Sequence, residues 1–247
     1  MSRLLVLKFG GHALANPARV RIAARRIAAW RRRGVRIVAV ASAPAGFTDR
    51  LLAQAARAGA PKGSRELDRL LSTGEDRSSA LLSLALVGLG VSSRSLRGAE
   101  AGLIASGDFG AGQVTAVDTT PVRELLDQDV VPVVSGFQAA RADGECVTLG
   151  RGGSDLTAVV LASALGASEC HLIKDVNGVH TRDPRTAPDA TPIHSLSHDQ
   201  LLLLARSGAR VVHAGAAAFA RSSALELRVY CYRAPLEAAG TRIGAAA

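Results

Sequence analysis

The chain has 247 residues, 48% hydrophobic and 21% charged, which is the composition of a folded protein and excludes a disordered one. Its longest apolar run, LLSLALVGLGV at 81–91, is too short to span a bilayer. No charged-then-apolar leader precedes the first strand, so a cytoplasmic location is expected. Thirty basic against 21 acidic residues leave a net charge of +9. Only five Phe, two Tyr and one Trp are available to stack on bases, which argues against a nucleic-acid partner and leaves a small anionic substrate.

In chain order, LLVLKF at 4–9 predicts a strand, followed by a helix over 17–33. In that helix Val20, Ala23, Ile27 and Trp30 recur at three- and four-residue spacing, and the arginines of RVRIAARRIAAWRRRG fall mostly on its other side. A strand at 35–42 and a helix at 48–59 come next. A long helical pattern over 64–89 carries Gly74 and Glu75 inside it. Short strands are expected at 92–98 and 102–107, a helix at 121–129 and a strand at 130–137. A helix at 155–167 leads to a strand at 169–176. Helices at 198–208 and 214–223 and a strand at 225–232 complete the pattern, and the final GAAA is expected to fray. This alternation predicts a mostly parallel sheet with helices on both faces, an α/β three-layer sandwich forming a single domain over 1–247. Cys146, Cys170 and Cys231 form no CxxC pair, so neither a metal knuckle nor a disulfide framework is expected.

Ligands of such sheets gather at the carboxyl ends of strands. There the chain places KFGG at 8–11, ASAPAGFTD at 41–49, SGF at 135–137, TLGRGGSD at 148–155 and KDVNG at 174–178. Glycines let the backbone approach an anion, and peptide N–H groups at a helix start donate to it. Lys8 beside Gly10 and Gly11 suits a polyphosphate. GRGGSD suits a second anion, which Arg151 can clamp in bidentate fashion. For either loop alone, a plain tight turn is the alternative. No Walker-type G-x-x-x-x-G-K-[ST] motif, dinucleotide fingerprint or protein-kinase signature is present. Only three of the 30 basic residues are lysine: Lys8, Lys62 and Lys174.

Taken together, KFGG, SAPAGFTD, LLSTGE, TLGRGGSD, KDVNGVHTRDPR and GARVVH resemble, in order and spacing, the amino acid kinase family. The resemblance is closest to the catalytic domain of aspartate kinases and covers essentially the whole chain. It implies the amino acid kinase (carbamate kinase-like) fold and phosphorylation of the side-chain carboxylate of L-aspartate, with ATP and Mg2+. Carried over by position, it implies that Lys8 contacts the β- and γ-phosphates, that Gly10 and Gly11 cradle them, and that Asp155 holds the catalytic basic groups. Asp175, Arg185 and the KDVNGVH loop would line the ATP site. Ser42, Thr48, Glu75, Arg151, Gly152, Gly153 and Ser154 would surround the amino acid, with Glu75 on its α-ammonium, Arg151 on its α-carboxylate and Thr48 on its side-chain carboxyl.

Four departures from the family's pattern, at five positions, stand out. His12 and Ala13 replace the two hydroxyl residues of KFGGTSV, so that His12 either donates to a phosphate or is a tolerated bulky substitution. Lys174 replaces the threonine of TDV and either contacts a phosphate or lies outward along the pocket rim. His180 replaces a tyrosine on the adenine side. Arg210 replaces the lysine of GAKVLH, keeping the charge but not the shape. The chain ends shortly after its last strand, so no regulatory ACT domain, and hence no lysine or threonine feedback, is expected, and any homodimer would use the kinase domain itself. Two alternatives stand beside the aspartate reading: a kinase of another small acid or phosphonate, and a degenerate ligand-binding sensor.

Overall fold

Alternation along the first strand decides how the molecule is layered. Leu5, Leu7 and Phe9 pack into one core, while Val6 packs into another on the opposite side, the side that Lys8 also faces. The computed structural model describes residues 3–207, 212–236 and 240–244. Its first half runs β1 (Leu4–Phe9), a single-turn helix (Gly11–Leu14), α1 (Pro17–Arg31), β2 (Arg36–Ala41), α2 (Phe47–Arg57), α3 (Arg65–Val87), β3 (Ser93–Leu96), β4 (Leu103–Ser106), β5 (Gln113–Val117), α4 (Thr120–Asp127) and β6 (Val131–Ser135). The second half continues with β7 (Gln138–Ala140), β8 (Cys146–Thr148), α5 (Gly153–Leu165), β9 (Glu169–Lys174), β10 (Val179–His180), β11 (Pro192–Ile193), β12 (Ser195–Ser197), α6 (His198–Arg206), α7 (Ala214–Ser222), β13 (Leu227–Cys231) and β14 (Thr241–Gly244).

Eight strands form the main sheet in the order β12-β14-β13-β9-β1-β2-β6-β3. Every neighbouring pair is parallel except β13 with β14. One face carries α1 and the end of α3, through Val20, Ala23, Ile27, Trp30, Leu82 and Leu86. The other carries α5, α6 and α7, through residues such as Val159, Leu161, Leu201 and Ala217. The expected mostly parallel sheet with helices on both faces is therefore present. Among the described residues, no helix is long and apolar enough to cross a membrane.

Three features differ from the sequence expectation. A second sheet, β5-β4-β7-β8, stands apart from the first. Only β4 was expected in it, because β7 and β8 have three residues each and β5 buries none of its five side chains, too little for a period-2 signal. Arg26 lies within the buried side of α1 instead of on its solvated face. Its guanidinium donates to the carbonyls of Ala234 and Pro235 and stacks over the Tyr230 ring. Finally, α5 begins at Gly153, two residues before its apolar pattern starts, because left-handed Gly152 (φ 72°) already turns the chain into the helix. The expectations for residues 208–211, Arg210 included, and for the last three residues lie outside the described residues.

A charged network joins the start of β9 to β13 and to Arg3, just before β1. Glu169, 7% exposed, meets Arg3 at 2.5 Å, Arg228 at 2.7 Å and His171 Nε2 at 2.9 Å. His171 Nδ1 lies 2.9 Å from the Tyr230 hydroxyl. A neutral His171 that donates from Nε2 and accepts at Nδ1 satisfies both contacts, and burial lowers its pKa in agreement. Burial acting alone would raise the Glu169 carboxyl, but the His171 hydrogen bond and the charges of Arg228 and Arg3 bring it down to about 2. A carboxyl lowered on folding stabilises above its unfolded pKa of about 4.3 and loses that contribution as pH falls through the folded value. Replacing Glu169 with Gln is expected to cost about 2 kcal/mol at pH 7, less than for a fully buried pair because both arginines are partly solvated. Urea unfolding between pH 5 and about 2 should show a shallower acid decline in Glu169→Gln than in the wild type.

Candidate active site

Period-2 alternation carries two lysines to one carboxylate. Lys8 leaves β1 on the α5 side of the sheet, and Lys174, the last residue of the neighbouring β9, leaves on the same side as Cys170 and Leu172. Asp155, in the first turn of α5, meets both. The Lys8 Nζ lies 2.6 Å from its Oδ1, and the Lys174 Nζ donates to its Oδ2 at 2.9 Å. Lys8 and Asp155 are buried, whereas the Lys174 side chain is 19% exposed. Burial lowers the Lys8 pKa, and the attraction of Asp155 only partly offsets it. Burial would raise the Asp155 carboxyl, but the charges of Lys174 and Lys8 outweigh it and hold that group well below the usual carboxylate range. Of the two orientations left open for Lys174 from sequence, the inward one is observed.

Beside this triad is a cleft of about 470 Å³. Ser42, Thr48, Glu75, Arg151, Gly152, Gly153 and Ser154, scattered over more than 100 positions of sequence, all line it. The Ser42 and Ser154 hydroxyls are 2.8 Å apart. Glu75 is 4% exposed on α3, and its Oε1 accepts the Ala43 N–H at 2.9 Å. Its other oxygen, Oε2, is buried and has no hydrogen-bond partner among the described residues. Burial pushes the Glu75 carboxyl up to about 7 against the Ala43 hydrogen bond and the nearby Lys8 charge. Two glycines permit this packing. A Cβ on Gly74 would sit 2.8 Å from the Ala43 Cβ, and one on Gly136 would sit 2.6 Å from the Ser154 Cβ. Arg151 is exposed where the Gly-rich loop enters α5.

Asp68 is a site residue that sequence reasoning missed. It is 1% exposed on α3 and lines the same cleft. Its Oδ2 accepts the N–H groups of Thr148 (2.7 Å) and Gly110 (2.9 Å), and its Oδ1 accepts the Thr148 hydroxyl at 3.0 Å. Asp68 thus fastens the start of the TLGRGGSD loop to α3. A signal was available, since Asp68, Leu71 and Glu75 fall on one face of α3, and an acid in a buried stripe needs a partner. Phe137 also lines the cleft, in a left-handed conformation (φ 71°). Its N–H donates to the Thr157 hydroxyl, and strain of this kind concentrates at functional sites.

Asp175, next in sequence to Lys174 and outside the cleft lining, lies 3.7 Å from the His12 Nε2 and 3.6 Å from the Arg185 Nη1. Arg185 also pairs with Asp183 at 3.1 Å. His180, half-buried on β10, has an Nδ1 with no hydrogen-bond partner among the described residues. The Gly10 N–H is used on the Ile173 carbonyl at 2.9 Å, so Gly10 contributes space here and not a free donor. At Gly11 a Cβ would lie 2.6 Å from the Ala43 carbonyl oxygen, so the turn after β1 packs directly on the loop after β2. Of the residues singled out from sequence, Arg210 alone cannot be placed, because it lies outside the described residues.

A mostly parallel sheet whose strand ends present a lysine pair on a helix-start aspartate, next to a polar cleft, defines an α/β domain of the kind suited to an anionic ligand. The chain belongs to the amino acid kinase family, whose model matches residues 3–231. It is similar to the aspartokinase of Thermus thermophilus, 40% identical over 226 residues, which cover 92% of this chain and 56% of that protein. It is also similar to the aspartokinase of Corynebacterium efficiens, 41% identical over 229 residues covering 92% and 54% respectively. The chain therefore spans about half the length of the curated relatives it matches. Among solved structures, the aspartate kinase from Synechocystis superposes with a TM-score of 0.85 at 36% identity, covering 98% of this chain and 40% of that one. Escherichia coli aspartokinase III in complex with aspartate and ADP superposes with a TM-score of 0.86 at 26% identity, covering 99% and 65%.

Proposed function

We propose that this chain transfers the terminal phosphoryl group of Mg-ATP to the side-chain carboxylate of L-aspartate, giving 4-phospho-L-aspartate and ADP. One observation carries the reading: Glu75, whose buried Oε2 has no hydrogen-bond partner among the described residues, lines a cleft shared with Arg151 and is close enough to Lys8 for that charge to act on its carboxyl. A buried carboxylate oxygen without a donor is matched by an α-ammonium. Arg151 supplies the bidentate partner for the α-carboxylate, and Thr48 and Ser42 address the far carboxyl. Those contacts leave the side-chain carboxylate turned toward Lys8. The aspartate and ADP bound to the E. coli neighbour and the two aspartokinase relatives support the same assignment.

The chemistry then needs little from the protein beyond position and charge. A side-chain carboxylate oxygen forms a bond to the γ-phosphorus, the bond from that phosphorus to the β–γ bridging oxygen breaks, and the electron pair leaves on ADP. No proton has to move, because a carboxylate is already a nucleophile at neutral pH. Lys8 neutralises charge on the moving group, and Asp155 keeps its ammonium aimed there. Asp175, Arg185, His12 and His180 face the nucleotide. Magnesium arrives on the phosphates of ATP. Among the described residues, no three acidic, imidazole or thiol side chains cluster to hold a metal by themselves. A cytoplasmic setting and a homodimer through this domain, with exposed Leu84 and Val87 of α3 as apolar surface, belong to the same reading.

Hydroxylamine trapping with Mg-ATP and a panel of small acids tests the proposal. Aspartate should give the hydroxamate with the highest kcat/KM. A faster acid or phosphonate would reassign the acceptor, and ATP binding with no ADP release for any acid would favour a sensor.

A further inference from the structure

We infer that Lys174 is a second phosphate-binding cation of this site, acting beside Lys8 on the terminal phosphate of the nucleotide. It takes this role only if the site holds Mg-ATP, as proposed above. The two ammonium groups grip opposite oxygens of one buried carboxylate, at 2.6 and 2.9 Å. Lys174 donates to the Asp155 Oδ2, Lys8 stands in ion-pair contact with the Oδ1, and among the described residues neither ammonium has another hydrogen-bond or ion-pair partner. An ammonium carries three donors, so each keeps at least two for a ligand. Two cations on one carboxylate also leave a surplus positive charge in a largely buried place, which an anion relieves.

The position of the pair selects the terminal phosphate. Gly10 lies between the lysines, since a Cβ there would sit 3.9 Å from the Lys8 Nζ and 4.0 Å from the Lys174 Cα. The glycine thus keeps a side chain out of the space where both ammonium groups would meet an oxyanion. Ser154, the neighbour of Asp155, lines the cleft that holds Glu75. Asp175, the neighbour of Lys174, is not part of that lining and pairs instead with His12 and Arg185. The lysine pair thus links the residues proposed for the acceptor to those proposed for the nucleotide, where the transferred phosphoryl group must cross. Residue usage agrees: of only three lysines in a chain with 30 basic residues, two converge on Asp155, and the third, Lys62, is exposed.

Lys174→Met tests this, with Lys174→Thr as a second variant. Lys8 stays on Asp155 in both, so the carboxylate is not orphaned and folding should hold. Titration of wild type and variants with ATP and with ADP gives a readout that needs no turnover. Each variant should lose at least about tenfold more affinity for ATP than for ADP. Its kcat should fall about 100-fold with the KM for aspartate within about threefold of wild type. An equal loss for ATP and ADP would reduce Lys174 to a support for Asp155. ATP affinity and kcat within about threefold of wild type would remove it from the site altogether. A wild-type protein that leaves aspartate unphosphorylated overturns the aspartate reading, while the comparison of ATP with ADP still decides the role of Lys174.

Discussion

Lys8→Ala is expected to lower kcat about 1000-fold while leaving the protein folded. The effect is large because Lys8 acts in a buried place, where a preorganised charge is worth more than in water. Its burial and its 2.6 Å contact with Asp155 already fix the ammonium before any substrate binds. Removing it costs no reorganisation elsewhere, because Asp155 keeps Lys174. The thermal midpoint should therefore move by no more than a few degrees, about the shift of a 1 kcal/mol change. Lys8→Arg should not restore activity, since a planar guanidinium does not fit a site packed around a compact ammonium. Hydroxamate formation and a melting curve check the two halves separately. Turnover near the wild-type rate in Lys8→Ala would sink the mechanism.

Glu75→Gln should raise the KM for aspartate about 30-fold, leave kcat within a few-fold, and abolish one limb of the pH profile. Burial holds the Glu75 carboxyl near pKa 7, so at pH 6 most of the free protein has a neutral cleft. An α-ammonium binds the ionised form. kcat/KM for aspartate should therefore rise with pH through about 7 and then level off. In the complex the bound ammonium lowers the pKa of Glu75, so kcat itself stays flat over the same range. Stability runs the other way. A carboxyl whose pKa is raised on folding favours the fold below its unfolded value of about 4.3 and loses that contribution as pH rises through the folded value near 7. At pH 8 Glu75→Gln should accordingly melt above the wild type when aspartate is absent, and saturating aspartate should reverse the order. A wild-type kcat/KM that does not change between pH 6 and about 8 would remove Glu75 from the ammonium site.

Much of the architecture was legible in the sequence, because it rests on local periodicity. The buried strands β1, β2 and β6 are mostly apolar runs, as parallel strands covered on both faces tend to be, and β9 keeps Cys170, Leu172 and Ile173 between its polar residues. That Ser42, Thr48, Glu75 and residues 151–154 belong together was legible for another reason, the resemblance of the ordered motifs to the amino acid kinase family. Ser42 follows β2 and the Gly-rich loop precedes α5, as strand-end and helix-start residues of a parallel sheet do, whereas Thr48 on α2 and Glu75 on α3 came from the resemblance alone. The small second sheet was not legible, because strands of three residues carry no period. Asp68 was missed because its partners, Thr148 and Gly110, are distant in sequence.

The orientation of Lys174 shows most clearly where sequence stops. Position alone put it next to Asp175 at the end of a strand and allowed it to point to either side. Its ion pair with Asp155 depends on β9 lying directly beside β1, on the parity that sets Lys8 and Lys174 on one face, and on α5 starting there. By itself, then, the sequence determined which residues stand at strand ends and which turns hold glycine. Only the tertiary structure decided that two of three lysines share one carboxylate, because strand order and side-chain parity between distant segments are set by how the helices cover the sheet.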